Sequence, residues 1–315
     1  MVGGTDPYLW TKRGRTRYMS GRKINFGAGP AKIPDEVLLK ARDELTNFAG
    51  TGISILEMSH RSKEFAEVLE ETKDLLRQLM NIPEEFEILF MQGGGTGQFA
   101  AIPLNIKGNK EFADYIVTGT WSSKAAAEGS KYIKVKKHGI VFGGTQKNLG
   151  AAGLTVVMVR KDLISEPQPI TPAIFSYKEM HDNNSLYNTP AVYGIYITNL
   201  VLKWIRDNGG VDAIFEMNKK KSSMIYDLID SSDGFYNCAV DKKCRSYMNI
   251  VFRIKDGDEK LEADFLKGAL ARGMISLKGH RSVGGIRASL YNAVSLEETA
   301  VLADWMREFM TTQAA

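Results

Sequence analysis

The stretch that decides the fold is the apolar run FEILFM at positions 86–91, followed directly by QGGGTGQ at positions 92–98. A short apolar run that ends at three consecutive glycines predicts a β-strand and a tight turn. The turn opens a helix, whose first N–H groups favour an anion such as phosphate. The pattern lacks the lysine of a P-loop, which argues against a nucleoside triphosphate site. Tight geometry alone is the alternative explanation for such a turn.

The segments on both sides of this stretch alternate between helices and strands. Helical spacing of apolar residues predicts helices at 63–80 and 191–207, and β-rich runs beside glycines predict strands at 140–142 and 154–159. Alternation of this kind indicates an α/β fold with a mostly parallel sheet. We predict three regions: a basic, disordered extension at 1–22, a large domain at 23–230 and a smaller α+β domain at 231–315.

The remaining elements follow the same signals. Ser295 and Glu298 form a capping box, which predicts the start of the last helix. Further helices are predicted at 34–48, 122–132, 211–230 and 259–271, and further strands at 115–118, 248–254, 275–277 and 286–290.

The composition excludes several classes of protein. The 315 residues carry a net charge of +4, and no apolar stretch approaches the ~20 residues that cross a bilayer. Two cysteines, Cys238 and Cys244, cannot form a disulfide framework, and without nearby histidines they are a poor zinc site. We expect no metal and a reducing, cytoplasmic location, although the basic segment 1–22 leaves an organellar presequence open. The lack of an aromatic-studded basic stripe argues against nucleic acid.

Several polar segments are candidates for chemistry. Lys147 lies in GGTQKNLG at positions 143–150, where its amine could form a Schiff base or remain a solvated surface group. Trp121 directly follows a predicted strand and turn, and either packs in the core or faces a flat aromatic ligand. The segment SLYNTP at 185–190 contains Thr189 and Pro190, which also suit the start of a helix.

Two His-Arg pairs occur in a chain with only four histidines. One is His60-Arg61 and the other is His280-Arg281, which Arg287 follows closely. Arginine binds carboxylate and phosphate through two parallel hydrogen bonds, so a shared anion pocket is one interpretation. Two solvated basic loops are the other.

These segments together closely resemble the phosphoserine aminotransferases, pyridoxal-phosphate enzymes of class V and fold type I. The resemblance begins at Lys23 and covers nearly the whole of the remaining chain, with the motifs in the family's order. The matching motifs are NFGAGPA at 25–31, EMSHR at 57–61, GGGTGQ at 93–98, GTWS at 119–122, QKN at 146–148, YNTP at 187–190 and the stretch 278–292.

The resemblance implies a role for each matching residue. Lys147 would hold pyridoxal 5′-phosphate covalently and move the substrate proton, and Trp121 would stack on the cofactor ring. The cofactor phosphate would be bound by Gly95, Thr96 and Gln146, and also by Asn188 and Thr189 of a neighbouring subunit. The substrate carboxylate would be bound by Arg287. The substrate phosphate would be bound by His60, Arg61, His280 and Arg281.

The resemblance also implies the reaction and the assembly. The amino group of L-glutamate would pass to 3-phosphohydroxypyruvate, giving 2-oxoglutarate and O-phospho-L-serine in L-serine biosynthesis. Because two residues would serve a neighbouring subunit, a homodimer with shared active sites is expected.

One feature departs from the family pattern. Only 26 positions separate Trp121 from Lys147, whereas the family has several more strands there, so the chain is expected to be shortened between 133 and 139 and its central sheet to be incomplete. The absent stretch would contain the acid that pairs with the pyridine nitrogen and a threonine that helps to bind the phosphate. The alternative function is therefore a catalytically impaired variant that acts as the dimer partner of a full-length homologue.

Overall fold

The computed structural model of the chain describes residues 21–106, 120–131, 140–280 and 283–314, with only the backbone for Thr120, Trp121 and Ala314. These residues divide into two units. We call residues 41–203 the central unit, and residues 21–40 together with 204–314 the composite unit. The predicted strand at 115–118, the predicted shortening at 133–139, Arg281 and nearly all of the predicted extension lie outside the described residues.

The described residues alternate between helices and strands, as the sequence predicts. None of the described helices is long and apolar enough to cross a bilayer. The helices are α1 (Asp35–Asp43), α2 (Lys63–Met80), α3 (Gly94–Ile106), α4 (Thr120–Gly129), α5 (Tyr177–Asp182), α6 (Val192–Asp207), α7 (Gly210–Asp230), α8 (Glu259–Ala271) and α9 (Leu296–Ala314). The strands are β1 (Ile24–Asn25), β2 (Phe86–Met91), β3 (Ile140–Gly144), β4 (Thr155–Arg160), β5 (Tyr236–Asn237), β6 (Asn249–Ile254), β7 (Met274–Ile275) and β8 (Ile286–Ser289).

The ends of several helices follow local capping chemistry. At α9, the Ser295 N–H donates to Glu298 Oε2 (3.0 Å) and the Glu298 N–H donates to Ser295 Oγ (3.1 Å), which confirms the predicted capping box. The sequence analysis did not predict α5, a six-residue helix capped by Ser176 Oγ. It also extended α1 to position 48, whereas the helix ends at Asp43.

The sheet of the central unit has the strand order β2-β4-β3, and β4 runs antiparallel to both neighbours. The sequence-based prediction of a mostly parallel sheet did not specify the direction of β4. Only residues 145–154 connect β3 to β4. Neighbouring parallel strands need a crossover of about a dozen residues or more, usually with a helix, so this short connection returns the chain antiparallel. Since β4 opposes both neighbours, β2 and β3 run in the same direction.

The composite unit contains a second three-stranded sheet, with the order β5-β6-β8 and antiparallel pairing throughout. In addition, β1 pairs in parallel with β7, so residues near the start of the chain join the C-terminal part. An aromatic cluster fills the core of this unit, with Phe265 fully buried among its rings. The rings around Phe265 belong to Tyr236, Phe252, Trp305 and Phe309.

The division into units differs from the predicted domain boundary at 230/231. It falls instead after Lys203, and residues up to Lys40 join the C-terminal part. The reason is packing: α7 contacts α9, β5 and β6, and its buried residues Ile225 and Ile229 belong to the aromatic core. A helical pattern in the sequence gives the length of α7, but not the sheet against which its apolar face packs.

Candidate active site

Two of the predicted cofactor-binding segments leave the central sheet at the same edge. In the register of the sheet, Thr155 of β4 pairs with Met91 on one side and with Gly144 on the other. Met91 is the last residue of β2 and Gly144 is the last residue of β3. The glycine-rich turn and the Lys147 loop therefore begin on either side of Thr155. The carboxyl ends of strands that run in one direction are where α/β proteins bind ligands.

The glycine-rich turn has a backbone that requires glycine. Gly93 and Gly94 have φ angles of +90° and +62°, in the left-handed region that other residues rarely adopt. The first hydrogen bond of α3 runs from the Gly97 N–H to the Gly93 carbonyl at 2.9 Å, so the preceding N–H groups have no acceptor within the helix. These groups form a cradle of backbone donors that fits a phosphate.

Aromatic rings lie against this turn. A Cβ atom added to Gly93 or to Gly97 would stand 3.4 Å from the ring of Phe175, and one added to Gly95 would stand 3.7 Å from the ring of Phe142. A side chain at Gly93 or Gly97 would therefore start in van der Waals contact with Phe175. The sequence analysis identified the glycines but not the rings, because only the tertiary fold brings them together.

Buried polar residues hold α3 in place behind the turn. The Tyr177 hydroxyl donates to Gln98 Oε1 at 2.8 Å, and Asn105 Oδ1 accepts from the Tyr177 N–H at 2.7 Å. Burial raises the pKa of Tyr177, so its hydroxyl keeps its proton and remains a donor. The sequence analysis did not identify Tyr177 and Asn105. It did include Gln98 in the glycine-rich motif at 92–98, and this position was the signal that could have identified Gln98 as a functional residue.

The loop that contains Lys147 is closed by Thr145, which is fully buried. The Thr145 N–H donates to the Leu154 carbonyl (3.1 Å), its hydroxyl donates to the Ala151 carbonyl, and its own carbonyl accepts from the Leu149 N–H (3.2 Å). Lys147 and Gln146 are exposed on this loop. The lysine amine is therefore presented to solvent at the edge where the glycine-rich turn also lies.

Gly150 fixes the far side of the same loop. Its φ angle is +153°, and a Cβ atom at this position would stand 2.9 Å from Thr198 Oγ1 of α6. Glycine is needed here because the loop backbone approaches the helix so closely.

The segment with Asn188 and Thr189 lies against the glycine-rich turn. The Gln92 side-chain amide donates to the Thr189 carbonyl at 2.9 Å, and the side chains of Asn188 and Thr189 are exposed. The helix α6 begins at Val192, so Thr189 is not its capping residue. The structure therefore brings two predicted phosphate-binding segments together within one chain.

The basic residues are distributed over both units. His60 and Arg61 lie just before α2 in the central unit, where Arg61 is exposed and its N–H donates to Ser59 Oγ at 3.2 Å. His280 and Arg287 lie in the composite unit. The structure describes His60 and Arg61 in the central unit and His280 in the composite unit, whereas Arg281 lies outside the described residues.

His280 and Arg287 line one cavity of about 200 Å³, together with Arg253. Arg287 belongs to β8, where its N–H donates to the Leu277 carbonyl at 2.7 Å. Its Nε atom is buried and has no hydrogen-bond partner among the described residues. An unsatisfied guanidinium donor beside a cavity fits the predicted carboxylate site, because a buried donor without an acceptor is costly.

Trp121 lies in the first turn of α4, which packs against α3. Its side chain lies outside what the structure describes, so its predicted stacking stays a prediction.

Comparisons with known proteins match these features. A family model described as aminotransferase class-V matches residues 24–131 and 123–302. A probable phosphoserine aminotransferase of Caenorhabditis elegans is 57% identical, and the alignment covers 92% of this chain and 97% of the relative. The chain belongs to the phosphoserine aminotransferases of class V.

Solved structures of this family agree with the fold. A phosphoserine aminotransferase from Bacillus circulans has a TM-score of 0.88 at 37% identity, covering 93% of this chain and all of that one. A phosphoserine aminotransferase from Trichomonas vaginalis, described as bound to PLP, has a TM-score of 0.86 at 32% identity, covering 91% of this chain and all of that one. The predicted α/β fold of type I and the predicted cofactor, pyridoxal phosphate, are thereby confirmed.

The chain is shorter than its relatives in this family. The alignment with the nematode protein has 359 positions, whereas 92% of 315 residues is only about 290, so about 70 positions have no counterpart here. Because both chains are covered almost to their ends, these positions lie inside the chain. The family model matches in two segments that meet at 123–131, next to the predicted shortening at 133–139.

Proposed function

We propose that this protein transfers the amino group of L-glutamate to 3-phosphohydroxypyruvate, giving 2-oxoglutarate and O-phospho-L-serine. The observation that carries the proposal is the shared edge of the central sheet, where the glycine-rich turn and the Lys147 loop flank Thr155. This arrangement offers phosphate donors and an amine on neighbouring segments. The names of the relatives in the family support the substrates.

The described residues fit pyridoxal phosphate. The cradle at the start of α3 would bind its phosphate through backbone N–H groups, with Gly95, Thr96 and Gln146 as the residues around it. When bound, the cofactor supplies an electron sink for the carbanion that forms at the substrate α-carbon. Lys147 would hold the cofactor through its Nζ atom and Trp121 would cover the ring.

Lys147 has a second task in this proposal. When its amine is free, its Nζ atom would take the proton from the substrate α-carbon, hold it and return it. The exposure of Lys147 on a loop closed by Thr145 gives the amine room to move, while the loop itself stays anchored.

The basic residues would select the substrate. Arg287 would bind the α-carboxylate through its guanidinium group, whose buried Nε atom has no hydrogen-bond partner among the described residues. The substrate phosphate is a dianion, and His60, Arg61, His280 and Arg281 would supply the several cations that such a group needs.

Borohydride reduction followed by mass spectrometry tests the proposal. The chain is incubated with pyridoxal phosphate, reduced and digested, and the peptide that contains Lys147 should carry the pyridoxyl-phosphate mass. The variant Lys147→Ala should carry no label there. A label on another lysine, or none on the wild-type chain, would show that the site assignment is wrong.

A homodimer is part of the proposal, because Asn188 and Thr189 are expected to reach the cofactor phosphate of a neighbouring subunit. Sedimentation equilibrium should give about twice the 35.0 kDa chain mass. A concentration-independent monomer would contradict shared active sites.

We also propose a cytoplasmic location, supported by two cysteines that are both free. Imaging of the chain with a C-terminal fluorescent tag, with and without residues 1–22, tests this location. Organellar signal that depends on residues 1–22 would contradict it.

A further inference from the structure

The segment between α5 and α6 has an uncommon backbone at its start. Asn184 and Ser185 are consecutive non-glycine residues in the left-handed region, with φ angles of +50° and +64°. Such conformations persist only where the surrounding structure holds them. The interactions around this segment therefore show what fixes the exposed residues Asn188 and Thr189 that follow.

The first anchor holds the start of the segment. Asn184 lies between two residues of α2: its amide donates to Glu70 Oε1 at 2.7 Å and its Oδ1 accepts from Lys73 Nζ at 2.5 Å. Ser185 is buried, and its Oγ accepts the Phe90 N–H of β2 at 3.0 Å. The segment thus begins in a fixed position beside β2.

The second anchor holds the end of the segment. Gln92 follows β2 directly and precedes Gly93, and its side-chain amide donates to the Thr189 carbonyl at 2.9 Å. Phe90 lies in β2 and Gln92 directly follows its last residue, so the two anchors are only two positions apart in the chain. Residues 186–188 span the distance between the anchors, with Tyr187 and Asn188 exposed.

We propose that Gln92 is a positioning residue of the cofactor-phosphate site. Its hydrogen bond fixes the backbone that carries Asn188 and Thr189 relative to the glycine-rich turn of the same chain. The proposal rests on the proposed function, in which the glycine-rich turn binds the cofactor phosphate of its own subunit and the Asn188-Thr189 segment reaches that of the neighbouring subunit. Glutamine suits this task because its amide supplies the donor that a carbonyl requires, whereas glutamate would present a second acceptor.

Two variants of the full-length chain separate the hydrogen bond from the shape of the side chain. Gln92→Met keeps the length and removes the donor, and Gln92→Glu places a carboxylate against the carbonyl. The dissociation constant for pyridoxal phosphate should rise about three- to tenfold in Gln92→Met, as expected for one neutral hydrogen bond. It should rise further in Gln92→Glu. Gln78→Met, at an exposed position of α2, is the matched control and should bind like the wild type.

Pyridoxal, which lacks the phosphate, distinguishes positioning from general damage. Its dissociation constant should be the same in the wild type and in both Gln92 variants, because only the phosphate contacts depend on the anchored segment. Equal weakening for both compounds would overturn the proposal, as would unchanged binding of pyridoxal phosphate in both variants.

Hydrogen exchange gives a readout that does not depend on the cofactor. Without added pyridoxal phosphate, the peptide that covers 186–191 should exchange faster in Gln92→Met than in the wild type or in Gln78→Met. Equal exchange would overturn the anchoring role. If the wild type forms no adduct at Lys147 but this exchange depends on Gln92, the proposed function fails while the anchor remains.

Discussion

The two three-stranded sheets share a pattern but differ in how they are buried. In both, the middle strand runs antiparallel to its neighbours. The first five residues of β4 are buried, whereas buried residues in β6 alternate with less buried ones and Val251 is 39% exposed. The middle strand β4 is thus covered on both faces, although Val141 of the neighbouring β3 is 57% exposed, whereas β6 is covered on one face.

This difference in burial indicates that the central sheet tolerates the loss of a chain segment less well than the sheet of the composite unit does. A strand covered on both faces, such as β4, depends on the segments that cover it and on the strands that pair with it. The shortening lies in the part of the chain that leads to β3, so it affects this sheet and the edge where the cofactor would bind. The aromatic core of the composite unit, by contrast, involves residues outside the stretch around the shortening.

The largest effect is expected when the missing stretch is restored. A chimaera replaces residues 132–139 with the corresponding longer segment of the nematode relative. It should regain the acid that the family resemblance places at the pyridine nitrogen, and kcat should rise about a thousandfold, equivalent to ~4 kcal/mol of barrier. Steady-state kinetics with glutamate and 3-phosphohydroxypyruvate measures this. If the unmodified chain already turns over at the rate of the relative, the impaired-variant hypothesis is wrong.

The aromatic core should be the most costly place to remove packing. Phe265→Ala deletes a fully buried ring that packs against Trp305 and Phe309, and should lower the free energy of unfolding by about 3–5 kcal/mol. Thermal unfolding monitored by circular dichroism measures the loss. A change below about 1 kcal/mol would mean that the core is not closely packed around this ring.

A buried lysine makes the stability of the composite unit depend on pH. Lys221 is fully buried, its Nζ donates to the carbonyls of Leu290, Tyr291 and Val294, and burial lowers its pKa to about 7. Above pH 7 the unfolded chain binds one proton more than the folded chain at this group. Its contribution to stability should therefore rise with pH, by up to about 1.4 kcal/mol per pH unit between about 7 and 10.

The variant Lys221→Met isolates this effect. The difference in unfolding free energy between the wild type and Lys221→Met should change over pH 7–9 in favour of the wild type. Urea titrations at several pH values measure the difference. A constant difference would show that the folded lysine titrates near its ordinary pKa.

The smallest effect is expected at the loop that presents Lys147. Thr145→Val removes the hydroxyl that bonds to the Ala151 carbonyl, and should cost about 1–2 kcal/mol. Thr155→Val is the matched control, since Thr155 is equally buried but its hydroxyl has no hydrogen-bond partner among the described residues. Equal losses in both variants, measured by urea unfolding, would contradict the anchoring role of Thr145.

Much of the candidate site could be predicted from the sequence, because the turn and the loop that form it depend on local residue types. Glycines that require positive φ mark the turn at Gly93, and a lysine between glycine-rich turns marks the loop of Lys147. The sequence analysis did not assign a direction to β4, because a buried strand has the same apolar run in parallel and antiparallel sheets. Only the short connection at 145–154 carried that information.

Other features arise from tertiary contacts that no local pattern encodes. The contact of Gln92 with Thr189 joins residues far apart in sequence. The assignment of α7 to the composite unit depends on which apolar residues surround Ile225 and Ile229. Both require the three-dimensional packing, which composition and periodicity do not determine.

The parallel pairing of β1 with β7 has a consequence for synthesis of the chain. Ile24 leaves the ribosome about 250 residues before its partner Met274, a delay of roughly 10 to 50 seconds at ordinary rates of translation. Residues 41–203 are contiguous and can fold during that interval, whereas β1 cannot pair until β7 has been synthesised. The pairing of β1 with β7 is therefore expected to be among the last steps in the folding of the nascent chain.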